Sequence, residues 1–345
     1  MLKKFFLSLL VLILISAGVA AWVWHQYETY MKSPIGIDNP IPSYIVERGR
    51  SFNGLLNDLE EQGVITQPVY LKVYARLHKL GNKIKAGEYY IAPSLTPLEL
   101  LEKFVVGDSV QHSFTIVEGH TFQQLKQALA KNDVLVQTLA DKSDTEILDL
   151  IGAREVHLEG IFLAETYQLV RGTSDLDLLK RSYKALEAEL TKAWEGKAKK
   201  LPYQSPYEAL IMASIVEKET AVPAERPKIA GVFIKRMRIG MRLQTDPTVI
   251  YGMGDSYNGN IRRKDLRKPT PYNTYTIDGL PPTPIAMVGR DAIEAALNPD
   301  VGRALYFVAR GDGSHYFSSS LKEHNRAVRD YQLKRKEAYR STPEK

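Results

Sequence analysis

The pattern of apolar and polar positions changes character several times along the chain. From Phe5 to Trp24 it is an apolar run of 20 residues, broken only by Ser8 and Ser16. At about 1.5 Å per residue, a helix of that length crosses a hydrocarbon core of about 30 Å. Lys3 and Lys4 precede the run, and Trp22 and Trp24 close it. The positive-inside rule therefore puts Met1 in the cytoplasm and the chain after Trp24 outside it. Gly18-Val19-Ala20 also has the small-x-small form of a cleavage site, but the run is long for a signal peptide, so a retained single-pass anchor is expected. Residues 1–25 are assigned to the cytoplasmic end and anchor. Residues 26–42, with Pro34, Pro40 and Pro42, are assigned to a linker.

Over 43–108 the periodicity is that of a small compact unit. Tyr44-Ile45-Val46 reads as a short strand, and Ser51 opens a helix with Phe52, Leu55, Leu56 and Leu59 on one face. Pro68 starts a second helix, expected to turn Val69, Val73, Leu77 and Leu80 inward, and Gly87 to Ile91 closes the unit as a strand. This strand–helix–helix–strand order resembles the LysM glycan-binding module; a plain spacer domain fits the same order. Thr96-Pro97-Leu98-Glu99 is a capping box for a helix that ends before Gly107.

The remainder, 109–345, alternates irregularly between strand-like and helix-like periods, and the fold class is α+β. Ser113 to Val117 alternates like a strand, Thr121 with Gln124 caps a helix, and Ser174 begins a long amphipathic one. Ser205 to Thr220 organises this region. Ser205, Pro206 and Glu208 form a helix start, and Ala209 to Val216 is apolar except for Ser214, as in a helix packed within a core. Glu217 and Glu219 end it, where the helix dipole raises a carboxyl pKa. Two residues apart, they point to nearly opposite sides. Glu219 has Ile215, Val216 and Met212 behind it, against Ala213 and Ser214 for Glu217. Glu219 is therefore preferred as a general acid. Both acids paired with Lys218 or Arg226 as ordinary helix-end residues is the plainer alternative. Arg226 to Ile239 follows as a basic amphipathic helix. Ala304 to Ala309 and His315 to Ser318 then form a hairpin, and Ser320 caps a last charged helix.

Composition narrows the chemistry. There is no cysteine, which excludes disulfides and thiol chemistry. The seven histidines have no metal-ligand spacing, and there is no nucleophile elbow or phosphate loop; neither metal nor cofactor is expected. The formal net charge of +6 suits an anionic polymer or membrane surface rather than nucleic acid in an exported domain. The basic run Lys334-Arg-Lys-Glu337 reads as a solvated end. Arg242 to Thr248 and the proline- and tyrosine-rich loop from Lys268 to Pro284 offer amides, hydroxyls and rings suited to sugars.

Ala213-Ser-Ile-Val-Glu-Lys-Glu-Thr220, Arg242-Leu-Gln-Thr-Asp-Pro-Thr-Val-Ile-Tyr-Gly252, Tyr272-Asn-Thr-Tyr275 and Gly279-Leu-Pro-Pro282 together resemble the YceG-like family, with motif order kept over 205–331. One stretch, Glu159-Gly-Ile-Phe-Leu-Ala-Glu-Thr-Tyr167, departs from the family pattern at Leu163, Ala164 and Glu165. The resemblance implies a membrane-anchored peptidoglycan lytic transglycosylase in the cytoplasmic (inner) membrane. Its catalytic domain would be periplasmic and cut nascent strands as a terminator of polymerisation, in contact with penicillin-binding synthases. It implies Glu219 as the catalytic residue and a cleft partly built from Gln244, Asp246, Asn273 and Tyr275; Glu217 is counted with them as a substrate-binding or supporting residue. Gln244 and Asn273 are expected to orient sugar groups, and Tyr275 to support the acid or a sugar ring. A hydrolase using Asp246 as second carboxylate, with Asp246 as a mere helix cap beside it, and a non-catalytic wall-binding scaffold are the competing readings.

Overall fold

The computed structural model describes residues 2–333; Met1 and the Lys334-Arg-Lys-Glu337 run lie outside the described residues. In chain order the elements are α1 (Leu2–Lys32), β1 (Ile41–Val46), α2 (Phe52–Glu61), α3 (Pro68–Leu77), β2 (Gly87–Ile91), α4 (Pro97–Val106), β3 (Gln111–Thr115), α5 (Phe122–Ala130) and α6 (Asp144–Ile151). They continue with β4 (Thr166–Val170), α7 (Asp175–Glu195), α8 (Pro206–Glu219), α9 (Arg226–Arg238), α10 (Asp246–Met253), α11 (Arg290–Leu297), β5 (Tyr306–Ala309), β6 (His315–Ser318) and α12 (Leu321–Val328). The strands pair as β1 with β2, β3 with β4 and β5 with β6. The architecture is thus mixed and mainly helical. Contacts divide the chain into two compact units: residues up to His112 with Gln168–Thr173, and Ser113–Tyr167 with the chain from Ser174 onward.

In the first unit, α1 is the one helix among the described residues long and apolar enough to cross a bilayer. Its last turn is part of the unit's core, because Met31 and, just beyond it, Ile35 are buried with Leu55, Leu56 and Leu59 of α2 and Phe104 of α4. β1 and β2 are antiparallel, with Tyr44 opposite Tyr89. α4 carries the capping box of Thr96 and Glu99 and stops at Gly107 in the left-handed conformation. The expected inward face of α3 is overturned. Val69, Val73 and Leu77 are 55%, 50% and 75% exposed, and the core takes Leu71 and Ala75 instead. Two apolar stripes of the same four-residue spacing interleave on this helix, and the one with smaller total bulk faces inward; Leu80 does pack partly against the core.

The second unit is built around α8. Every residue from Ala209 to Glu217 is buried, against α11, α9, α7 and α10. Ser214, the polar interruption, is satisfied twice: its hydroxyl donates to the Ile211 carbonyl (2.7 Å) and accepts from the Ile285 N–H (3.0 Å). At the start of α8 only half of the expected capping box forms. Ser205 Oγ accepts from the Glu208 N–H, whereas the Glu208 carboxylate accepts from Gln204 N–H (2.8 Å). β3 begins two residues earlier than the alternation predicts, and β5 and β6 form the expected hairpin with Phe307 opposite Phe317.

Candidate active site

α8 ends at Glu219, since Thr220 turns to an extended conformation. A short irregular segment, Leu243 to Thr245, meets that end through Thr245. Gln244 there has φ of 49°, a left-handed conformation that costs a non-glycine residue free energy. It is held by its N–H donating to the Thr274 carbonyl (3.1 Å), while its side chain is exposed. Next to it Thr245 is buried, and its hydroxyl donates to Glu219 Oε1. Thr245 is the N-cap residue of α10, yet its side chain makes no capping bond there; the hydroxyl is spent on Glu219. The Thr245 N–H donates to Thr274 Oγ1 (3.0 Å), and Thr248 Oγ1 lies 2.9 Å from Thr274 Oγ1. A buried cluster of three threonines therefore fixes the group that holds the acid.

Asp246, expected as a possible cap, is instead the first residue of α10, where the helix dipole favours its charge. Its exposed carboxylate accepts from Tyr275 Oη at 2.6 Å. Burial is the main force on Glu219, and its pKa is pushed up to about 7. The negative charge of Asp246 pushes the same way, and the Thr245 hydroxyl and Arg236 oppose. A carboxyl with that proton affinity holds a proton near neutrality and gives it up on demand, as a general acid must.

Glu217 behaves differently from expectation. It is the more deeply buried of the two acids, 8% exposed, but its charge is matched. Arg226 Nη2 donates to Oε1 (2.7 Å), and the Gly289 N–H donates to Oε2 (3.1 Å). Arg226 also reaches Glu118 and Asp291. Burial still raises the Glu217 pKa, against the attraction of Arg226. Its place is a structural ion-pair network turned away from Thr245. Lys218, between the two acids, donates to the Gly119 carbonyl (3.0 Å).

Asn273 does not present its amide to a ligand. It is 1% exposed. Its Nδ2 donates to the carbonyls of Asp265 (3.1 Å), Leu266 (3.3 Å) and Lys268 (2.7 Å), and its Oδ1 accepts from the Tyr275 N–H (3.0 Å). The sugar-orienting expectation for Asn273 is thus corrected: it shapes the loop that carries Tyr275. Glu165 pairs with Arg290 through both oxygens (2.8 and 3.0 Å), which holds its pKa below the ordinary value.

Sequence reasoning missed two residues. Thr245 lay inside a recognised motif, but its hydroxyl had no stated use. Glu159 is a further buried carboxyl, accepting from the Phe122 N–H (2.9 Å) and Tyr251 Oη (3.1 Å), and burial raises its pKa to about 7. It borders a small cavity of about 200 Å³ with Tyr251, Tyr272 and Thr283. The following Gly160, at φ +73°, lets the chain pass Pro284; a Cβ there would lie 2.3 Å from the proline Cβ. Among the described residues, no cluster of three or more acidic or histidine side chains is placed to hold a metal ion.

The profile of the YceG-like family matches residues 44–330. An endolytic murein transglycosylase of Bacillus subtilis is 32% identical over 304 residues, covering 83% of each chain. One from Streptococcus pneumoniae is 28% identical, covering 95% of this chain and 65% of its own length. A crystal structure of a yceG-like protein from Listeria monocytogenes superposes with a TM-score of 0.52 at 31% identity, covering 84% of this chain and 99% of that one.

Proposed function

The chain belongs to the YceG-like family, and from that premise we propose that it is a membrane-anchored endolytic murein transglycosylase with Glu219 as its acid and base. The observation that carries the reading is the setting of Glu219: a carboxyl at the end of a buried helix, held by Thr245, with its pKa pushed up to about 7. The names of the relatives support the substrate class.

Protonated Glu219 gives its proton to the oxygen bridging MurNAc and GlcNAc. The C1–O bond breaks, and an oxocarbenium-like centre develops at MurNAc C1. The carboxylate left behind takes the proton from the MurNAc C6 hydroxyl, whose oxygen bonds to C1. The product is a 1,6-anhydro end, and no water is consumed. Gln244, exposed on its strained turn, is the side chain offered to a sugar amide or hydroxyl. Tyr275 acts through Asp246, and the charge of Asp246 adds to burial in favouring the protonated form of Glu219. α1 anchors the enzyme with its N-terminus in the cytoplasm, and the LysM-like unit, 43–108, follows the anchor in the sequence and precedes the catalytic domain. Cutting nascent strands beside penicillin-binding synthases, and so terminating them, is the matching cellular role.

A hydrolytic reading remains attached to one observation: Asp246 is an exposed carboxylate near the acid. Mass spectrometry of peptidoglycan digested by the wild type and by Glu219→Gln separates the readings. The expected result is anhydro-MurNAc ends from the wild type and none from the variant, with the fold intact. Reducing MurNAc ends would move the chemistry to Asp246, and full activity of Glu219→Gln would remove Glu219 from the mechanism.

A further inference from the structure

The face of α3 that the apolar pattern assigned to the core is on the outside. Val69, Val73 and Leu77 repeat every four residues and are at least half exposed. Lys72 and Arg76 lie along one side of them. At about 100° per residue, these five side chains fall within an arc of about 140°. An exposed helix with an apolar stripe edged by cations is the pattern of a helix lying in a membrane interface.

The position of α3 supports the same partner. Trp24, at the end of the apolar run of α1, touches Tyr27 (5.6 Å between ring centroids). Tyr27 touches Tyr70, in the first turn of α3 (5.6 Å), and Tyr30 touches Tyr70 as well (5.5 Å). The Gln67 N–H, just before α3, donates to Tyr30 Oη (3.3 Å). Tyr27 and Tyr30 lie about 4.5 and 9 Å beyond Trp24 along α1. The headgroup layer on each side of a bilayer is about 5–8 Å thick. The start of α3 is therefore tied to α1 by Tyr27 within the headgroup layer and by Tyr30 at its aqueous edge. Lys72, Arg76 and Lys79 also border a groove with Arg50 and Asn53, and its lining includes no acidic residue.

We propose that the exposed face of α3 docks on the bilayer surface beside the anchor, with Val69, Val73 and Leu77 among the headgroups and Lys72, Arg76 and Lys79 facing anionic phospholipid phosphates. The proposal rests on the reading of α1 as a membrane anchor. It gives the first unit a second attachment point, which fixes its orientation on the membrane. A lone helix would leave it free to swivel.

The chain has no cysteine, so single labels can be introduced cleanly. The full-length protein would be reconstituted into phosphatidylglycerol-containing bilayers with a fluorophore at Val73→Cys, at Glu61→Cys as an exposed control, or at Val11→Cys within the anchor. Nitroxide lipids at headgroup depth are expected to quench position 73 at least threefold more than position 61, and deep nitroxides are expected to quench position 11. Lys72→Glu with Arg76→Glu, or zwitterionic lipid alone, should at least halve the quenching at 73. Quenching at 11 with position 73 behaving like 61 would overturn the proposal and leave the anchor standing. Shielding of 73 from aqueous iodide without lipid quenching would mean that protein covers the face, and it would overturn the proposal equally. Absence of quenching at 11 would remove the anchor and the docking with it.

Discussion

Thr245 and Asp246 are adjacent in the chain and pull Glu219 in opposite directions. The Thr245 hydroxyl stabilises the Glu219 carboxylate, and the Asp246 charge destabilises it. Under the proposed mechanism free Glu219 must be protonated, so kcat/KM should be level below about pH 7 and fall about tenfold per pH unit above it. Asp246→Asn removes a repelling charge and should move this alkaline limb to lower pH while turnover at low pH persists. Thr245→Val removes a donor to the anion and should move the limb to higher pH, and Thr245→Ser should restore it. The pH profiles of the three variants check this directly. Complete loss of activity in Asp246→Asn at every pH would instead favour the hydrolytic role. None of this opposition was legible in the sequence. The apolar neighbours Met212, Ile215 and Val216 were visible one turn behind Glu219. The threonine and aspartate that adjust its proton affinity come from another element, more than twenty residues on.

At the scale of elements, most segments with a clear cap were readable, down to the eight residues of α12 behind Ser320, whereas α10 and α11, which have no side-chain cap bond, were not. α2, α4 and α8 begin at Ser51, Thr96 and Ser205, each of which accepts a backbone N–H as a cap. α6 has an equally good box, Ser143 with Glu146, but went unread, because its few apolar positions follow a polar stretch. α3 shows the limit of periodicity itself. Both of its apolar stripes satisfy the helical repeat, and only the packing of α2, α4 and the foot of α1 decides which one is buried. The role of Glu159 was hidden for a related reason, because its partners Phe122 and Tyr251 come from α5 and α10. Next to Glu159, Gly160 passes close against Pro284. Gly160→Ala should cost about 1–2 kcal/mol for the left-handed backbone and about 1–3 kcal/mol for overpacking. A lowered urea midpoint with an unchanged slope would match that expectation. An unchanged midpoint would mean the two segments are free to move apart.

Across the whole molecule, the buried carboxyls set how stability depends on pH. Glu219 and Glu159 both have their pKa raised to about 7 by burial. Between about pH 4.5 and 7 the folded chain therefore holds protons that the unfolded chain has released. With more protons on the native state, stability must fall as pH rises through this window and level off above it. At about 1.4 kcal/mol per pKa unit, each group accounts for a loss of order 3 kcal/mol. Glu88 works the other way at lower pH. Hydrogen bonds from Ser43, Arg171 and His112 hold its pKa down at about 2, so its contribution is present above about pH 4.5 and is lost as pH falls toward 2. The two effects leave a stability maximum close to pH 5, below the pH of about 7 at which Glu219 loses its proton. Replacing the raised carboxyls with neutral isosteres, Glu159→Gln with Glu219→Gln, should flatten the decline between pH 5 and 7 and leave the acid limb in place. Thermal melts of the wild type and the double variant at pH 4, 5, 6, 7 and 8 test this. A variant whose melting temperature falls as steeply as the wild type's from pH 5 to 7 would show that these carboxyls carry no proton in the folded protein, and the proposed general acid would lose its physical basis.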